Sequence, residues 1–152
     1  MNIEEQKEQL LKATELRIGN YIYLNGLDEV KAIKQSRNGN YKVKLYYDET
    51  DSYEWAALTN TALMGIPLHK ELLLALGFEK DVCGNFYIDL QTHCLELRET
   101  QGWYYPAYIE FPEFSSQDEQ IVFLKRIKNL HEIQNLYFTL SGEELKLKYL
   151  WS

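Results

Sequence analysis

Asn38-Gly39, set between the alternating segments LDEVKAIKQSR (27–37) and NYKVKLYYD (40–48), constrains this chain more than any other feature. A two-residue type I′ turn needs positive φ at both central positions, which Asn and Gly tolerate, and its twist matches that of the flanking strands. The expected register pairs Arg37 with Asn40 and Ser36 with Tyr41. Tyr41, Val43, Leu45 and Tyr47 then share an apolar face with Ala32 and Val30, while Lys42, Lys44 and Tyr46 share the opposite face with Gln35, Ile33 and Lys31. LRIGNYIYLNG (16–26) and SYEWAAL (52–58) supply further strand candidates. Several short antiparallel strands over about 45 residues bury a face only by curling, so residues 16–60 read as a small SH3-like antiparallel β-barrel.

Residues 1–15 read as an N-terminal helix with Ile3, Leu10 and Leu11 as anchors. Beyond Gly65 the pattern changes. Pro67-Leu68 holds the chain extended, and residues 71–76 form a short helix with His69 near its N-cap and Gly77 closing it. FYIDL (86–90), CLELRET (94–100) and WYYPAYIEF (103–111) follow as strands, with Gln101-Gly102 as a tight turn. Alternation sends Phe86, Ile88, Leu90, Leu95, Leu97, Ile109 and Phe111 inward, and Pro106, which lacks an N–H, marks its strand as an edge or as bulged. Phe123, Ile127, Leu130, Ile133, Tyr137 and Leu140 then lie on one helical stripe, Gly142 ends that helix, and alternation over 145–151 suggests a last strand. Residues 66–152 are therefore expected to form an α-β-β-β-α-β sheet-and-helix unit, which makes the whole chain α+β.

Composition removes several classes of function. An apolar fraction of 45% with 26% charged residues is that of a folded globular protein. A net charge of −7 disfavours broad attraction to polyanions or anionic lipid. No apolar run approaches the roughly 20 residues that cross a bilayer, and the opening MNIEEQKEQLLKATE has no signal-peptide pattern, so a cytoplasmic protein without a membrane partner is expected. Cys83 and Cys94 read as reduced thiols. Walker-type loops, dinucleotide-binding glycine patterns and nucleophile elbows are missing, and no acid, base and nucleophile converge by spacing. His131-Glu132 opens like a zinc-protease motif, but Asn135 stands where its second histidine belongs. Cys83, His93 and Cys94 offer too few ligands for a closed zinc site, and adjacent strand residues face opposite ways. No metal, no cofactor and no enzymatic activity are expected.

Two surfaces stand out. The run 103–114 is dense in rings, and alternation cannot bury all of them in one core; Trp103, Tyr104 and Tyr108 are the expected partly exposed anchors for a protein partner. Residues 17–44 carry a net charge of +4 and residues 65–124 carry −7. The basic face of the first unit, with Lys31, Lys42, Lys44 and Tyr46, is the alternative site, for nucleic acid held by phosphate contact and base stacking. Its bland counterpart is a solvated outer face. His131, Gln134 and Asn135, beside the apolar stripe of the long helix, suit hydrogen bonding to neighbouring loop backbone better than ligand contact.

Three segments, ELRIGNYIYLNG (15–26), GIPLHKELLLALGFEK (65–80) and LHEIQNLYFTLSGEEL (130–145), resemble a group of small uncharacterised proteins of Bacteroidetes genomes and their phages. His131, Gln134, Asn135, Leu136, Tyr137, Phe138 and Gly142 carry the third segment's likeness. The group usually has Thr or another capping residue where His69 stands, which weakens any functional role for His69. The resemblance implies a phage or mobile-element origin and no particular chemistry. The combined expectation is a non-enzymatic accessory protein acting through protein contacts, with nucleic-acid binding as the alternative.

Overall fold

The computed structural model describes residues 11–24, 26–47, 50–59, 63–111 and 121–148. Two compact units result: residues 1–67 together with 129–135, and residues 68–128 together with 136–152. The first unit is thus discontinuous, taking the start of the C-terminal helix from the far end of the chain. Both units are built from antiparallel strands, and the fold is mixed α+β.

In the first unit, β1 (Tyr21–Tyr23), β2 (Leu27–Gln35), β3 (Tyr41–Tyr47) and β4 (Ser52–Ala57) pair in sequence order. β1 and β4 remain the edges among the described residues, so the sheet is an open meander and not the closed barrel expected. Ile22, Val30, Val43 and Leu45 form the centre of its core, with Leu11, Leu16, Ala56, Leu58 and Leu63 around them. Of the expected N-terminal helix, residues 1–10 lie outside the described residues, and Ala13–Glu15 form one turn of 3-10 helix.

The first hairpin departs from expectation by one residue. Ser36 N–H donates to Asn40 O at 2.7 Å and Gly39 N–H to Ser36 O at 2.9 Å. Gly39 has φ 87°, while Asn38 is not among the residues of positive φ. This is a three-residue loop, a turn followed by a left-handed glycine, and it needs positive φ only once. The pairing becomes Gln35 with Tyr41, Lys34 with Lys42 and Ile33 with Val43. Ile33 therefore packs against the core and Lys34 lies on the outer face, the reverse of the expected arrangement. A bulge between Val30 and Ala32 then absorbs the extra residue and returns Val30 to the core opposite Leu45. β3 keeps its expected polarity, with Val43 and Leu45 buried and Lys42, Lys44 and Tyr46 outside.

The second unit opens with α1 (Lys70–Leu76). His69 caps it, its ring accepting from Leu72 N–H at 3.3 Å. Gly77 at φ 101° closes it, with Gly77 N–H on Leu74 O and Phe78 N–H on Leu73 O. β5 (Glu79–Lys80), β6 (Phe86–Asp89), β7 (His93–Thr100), β8 (Trp103–Glu110) and β9 (Ile121–Phe123) form one antiparallel sheet in sequence order. Gln101 and Gly102 both have positive φ, 53° and 81°, so the type I′ turn expected at Asn38-Gly39 occurs here. It pairs Thr100 with Trp103, Glu99 with Tyr104, Leu97 with Pro106 and Leu95 with Tyr108. Tyr104, Pro106 and Tyr108 consequently share the face of Leu95 and Leu97. Ile109 sits opposite Cys94 on the other face, correcting its expected inward placement.

Pro106 lies in a strand paired on both sides, not at an edge. Its missing donor falls where the β8–β9 ladder is interrupted, between the Ala107–Phe123 pair and the Tyr104–Ile127 bridge; its carbonyl accepts from Leu124 N–H at 3.0 Å. Residues 121–127 thus serve β8, and the long helix starts later than its periodicity suggested, as α2 (Leu130–Ser141). One arm of a capping box marks that start: Glu132 Oε1 accepts from Asn129 N–H at 3.0 Å, while Glu132 N–H donates to the Asn129 backbone carbonyl at 3.1 Å. Residues 145–148 are not a strand. Leu145 is buried, and Lys148 N–H donates to Ala75 O at 2.8 Å. The remainder of that expected strand, 149–151, lies outside the described residues.

Candidate nucleic-acid interface

The outer face of the first sheet brings together several of this unit's cations and rings. Alternation along β3 and β4 brings Lys42, Lys44, Tyr46, Tyr53 and Trp55 to one side, and the bulged β2 adds Lys34. Tyr53 is 56% exposed and Trp55 40%. Lys34 Nζ lies 4.2 Å from the Trp55 ring centre, Lys44 Nζ 4.8 Å from that of Tyr53, and Lys31 Nζ 5.6 Å from that of Tyr46. The Tyr46 and Tyr53 rings are 5.1 Å apart and tilted by 46°, and the Tyr46 hydroxyl donates to Asp51 Oδ1 at 2.7 Å. Lys31 is also ion-paired with Glu29 at 2.8 Å, so its charge is partly answered within the sheet. Lys34 and Lys42 are direct cross-strand partners. Like charges in that relation cost stability, offset at Lys34 by its contact with the Trp55 ring.

The expected nucleic-acid residues Lys42, Lys44 and Tyr46 are therefore brought together, with Lys31 at one side. Lys34, Tyr53 and Trp55 were missed. The alternation in SYEWAAL already put both rings on one face of a strand, but the sequence did not show which neighbour that face would meet. Lys34 was hidden by the one-residue difference in the hairpin.

Trp103, Tyr104 and Tyr108, expected as joint anchors for a protein partner, are split between the two faces of the second sheet. Tyr104 is 4% exposed and belongs to the core, so it is no surface anchor. Both its backbone groups bond Ile127 at 2.8 Å. Tyr108 is half-buried, stacked on His93 with ring centres 4.0 Å apart, and it lines a cavity of about 360 Å³ with Asp89, Thr92, Tyr137 and Glu143. Trp103 is half-buried beneath Arg126, whose guanidinium carbon is 4.0 Å from the ring centre, with Lys128 Nζ at 5.5 Å.

The polar residues at the start of α2 clamp the first unit. Gln134 donates to Gly19 O at 3.0 Å and accepts from Tyr21 N–H at 2.8 Å, taking the place of a strand along the β1 edge. Asn135 accepts from Asn20 Nδ2 at 2.8 Å and donates to Glu15 O at 2.7 Å. His131 is 1% exposed, and neither ring nitrogen has a hydrogen-bond partner; Glu15 Oε2 is 3.6 Å from Nε2. Burial holds its pKa below the ordinary value against the opposing pull of Glu132 and Glu15.

Cys83 is exposed, and Cys94 is half-buried with its pKa pushed up to about 11 by burial, then by Asp89, Glu96 and Asp81. Among the described residues no group of three His, Cys, Asp or Glu side chains is placed to hold a metal ion, and no helix is long and apolar enough to cross a membrane. No family model, curated protein or solved structure matches the chain.

Proposed function

We propose that this protein binds single-stranded nucleic acid on the outer face of its first sheet, as a non-enzymatic accessory of a phage or mobile element. The carrying observation is the direct Lys34–Lys42 cross-strand pair beside Lys44 and the exposed Tyr53 and Trp55. A solvated face with no polyanion to meet would be more stable with one of those lysines exchanged for an acid. Phosphates answer the lysines, and rings supply stacking surfaces indifferent to base identity. The overall charge of −7 limits attraction to this face, so binding should be local and strongly dependent on salt. The protein-contact reading through Trp103, Tyr104 and Tyr108 has less support, because Tyr104 is buried and the others are engaged by Arg126 and His93.

The test is polarisation of a labelled oligothymidylate of about 12 nucleotides, begun at about 50 mM salt. With three or four phosphates engaged, log K should fall with log salt at a slope of about −2 to −3. The double variant Lys42→Glu/Lys44→Glu should lose at least about tenfold in affinity. Absence of binding at low salt, or equal binding by the double variant, removes this reading.

A further inference from the structure

We infer that Tyr53 and Trp55 form a frame for two consecutive unstacked bases, and that Lys44 and Lys34, which cover these rings in the free protein, pass from ring to phosphate as the bases arrive. This rests on the proposed function and specifies how that site would read its ligand.

Tyr53 and Trp55 are two residues apart on one strand, so their side chains leave the same face about 6.7 Å apart. Within one strand of a duplex, successive nucleotides advance by about 3.4 Å. Side chains that leave the strand at twice that rise do not match two neighbouring bases that remain stacked on each other. They suit an extended single strand whose bases are pulled apart. Tyr46, 5.1 Å from Tyr53 and held by its hydroxyl on Asp51, buttresses Tyr53 from the side.

The lysines make this frame exchangeable. Lys34 reaches diagonally across β3 to lie 4.2 Å from the Trp55 ring centre, and Lys44 lies 4.8 Å from that of Tyr53. In the free protein each ammonium lies over part of a ring whose remaining surface faces water. Base stacking on a ring is the stronger interaction of the two, and each displaced ammonium finds a phosphate on the same nucleotide chain. One event thus opens the ring and supplies the counter-charge.

The experiment compares an oligothymidylate with an abasic oligonucleotide of the same length, which keeps the phosphates and lacks the bases. The native protein should prefer the oligothymidylate by about tenfold or more. Trp55→Leu and Tyr53→Leu should each narrow that preference by lowering oligothymidylate affinity; Trp55→Phe should retain it. Both rings are exposed, so each variant is expected to fold, and its amide spectrum reports whether it does. In the free protein the side-chain methylene protons of Lys34 and Lys44 next to nitrogen should be shifted upfield by the rings, and oligothymidylate should return them to ordinary positions.

Equal binding of both oligonucleotides by the native protein would leave phosphate binding standing and overturn the base frame. A preference that survives both leucine variants would overturn it too. Lysine signals that stay shifted in the complex would overturn the exchange. Absence of binding to either oligonucleotide would remove the proposed function and this inference with it. Displacement by polyglutamate as effective as by oligothymidylate would assign the face to an acidic protein segment instead.

Discussion

Both sheets carry aromatic rings with cations over them, yet the rings have different duties. In the first sheet, Tyr53 and Trp55 lie on the face opposite Val43 and Leu45, and their removal would leave the core of that unit intact. In the second, Tyr104 shares the face of Leu95 and Leu97 and is part of the core. Ring density along a strand therefore says little about availability. The register, which decides the face, says most of it.

The sharpest break in this comparison is truncation. Tyr104→Ala should destabilise the second unit by about 3–5 kcal/mol, since a buried aromatic side chain leaves a cavity. Trp55→Ala, at an exposed position, should cost much less; denaturant titration of both variants measures the difference. Equal losses would mean that Trp55 has a structural duty and would weaken the proposed interface.

Acid should separate the units next. The unfolded chain binds the His131 proton near pH 6.5, and the folded chain only at lower pH. Between those values the unfolded state holds more protons, so stability from the neutral ring is complete above about pH 6.5 and falls as pH drops through the folded value. His131 belongs to the first unit, and Glu15 and Glu132 are the charged groups that oppose the shift. Hydrogen exchange resolved by residue should show the first unit's amides losing protection first under mild acid. Simultaneous loss in both units, or no loss before the carboxylates titrate, contradicts this assignment.

The smallest effect is the most telling about function. Lys42→Glu should stabilise the first sheet by about 0.2–1 kcal/mol, replacing a like-charge pair with an opposite one against Lys34. Thermal unfolding measures that gain, and oligonucleotide binding should weaken in the same variant. A variant both more stable and equally competent in binding would show that the lysine pair has no role at the face.

Much of the local structure was legible. His69, Gly77 and the helix between them follow from capping and left-handed glycine, and Gln101-Gly102 was readable as a tight turn. Carrying its register along β8 would also have placed Tyr104 inward. The Asn38-Gly39 corner was harder, because the same dipeptide serves a two-residue or a three-residue loop, and those loops differ by one residue in register. Residues 121–127 misled for a related reason. Their spacing fits a helix, but β8 offered backbone partners that only the assembled sheet supplies.

What the amino-acid order determined unaided was local: where strands alternate, where chains turn, where helices can be capped, and that Lys42, Lys44 and Tyr46 point one way from β3. Those features depend on sterics and hydrogen bonds among residues a few positions apart. Tertiary structure decided which β2 residues meet them, that Tyr53 and Trp55 join Lys34 there, and that Tyr104 is withdrawn. Each of those outcomes depends on a neighbouring strand's register, and pairing across a sheet is selected by the whole packed unit rather than by any segment of it.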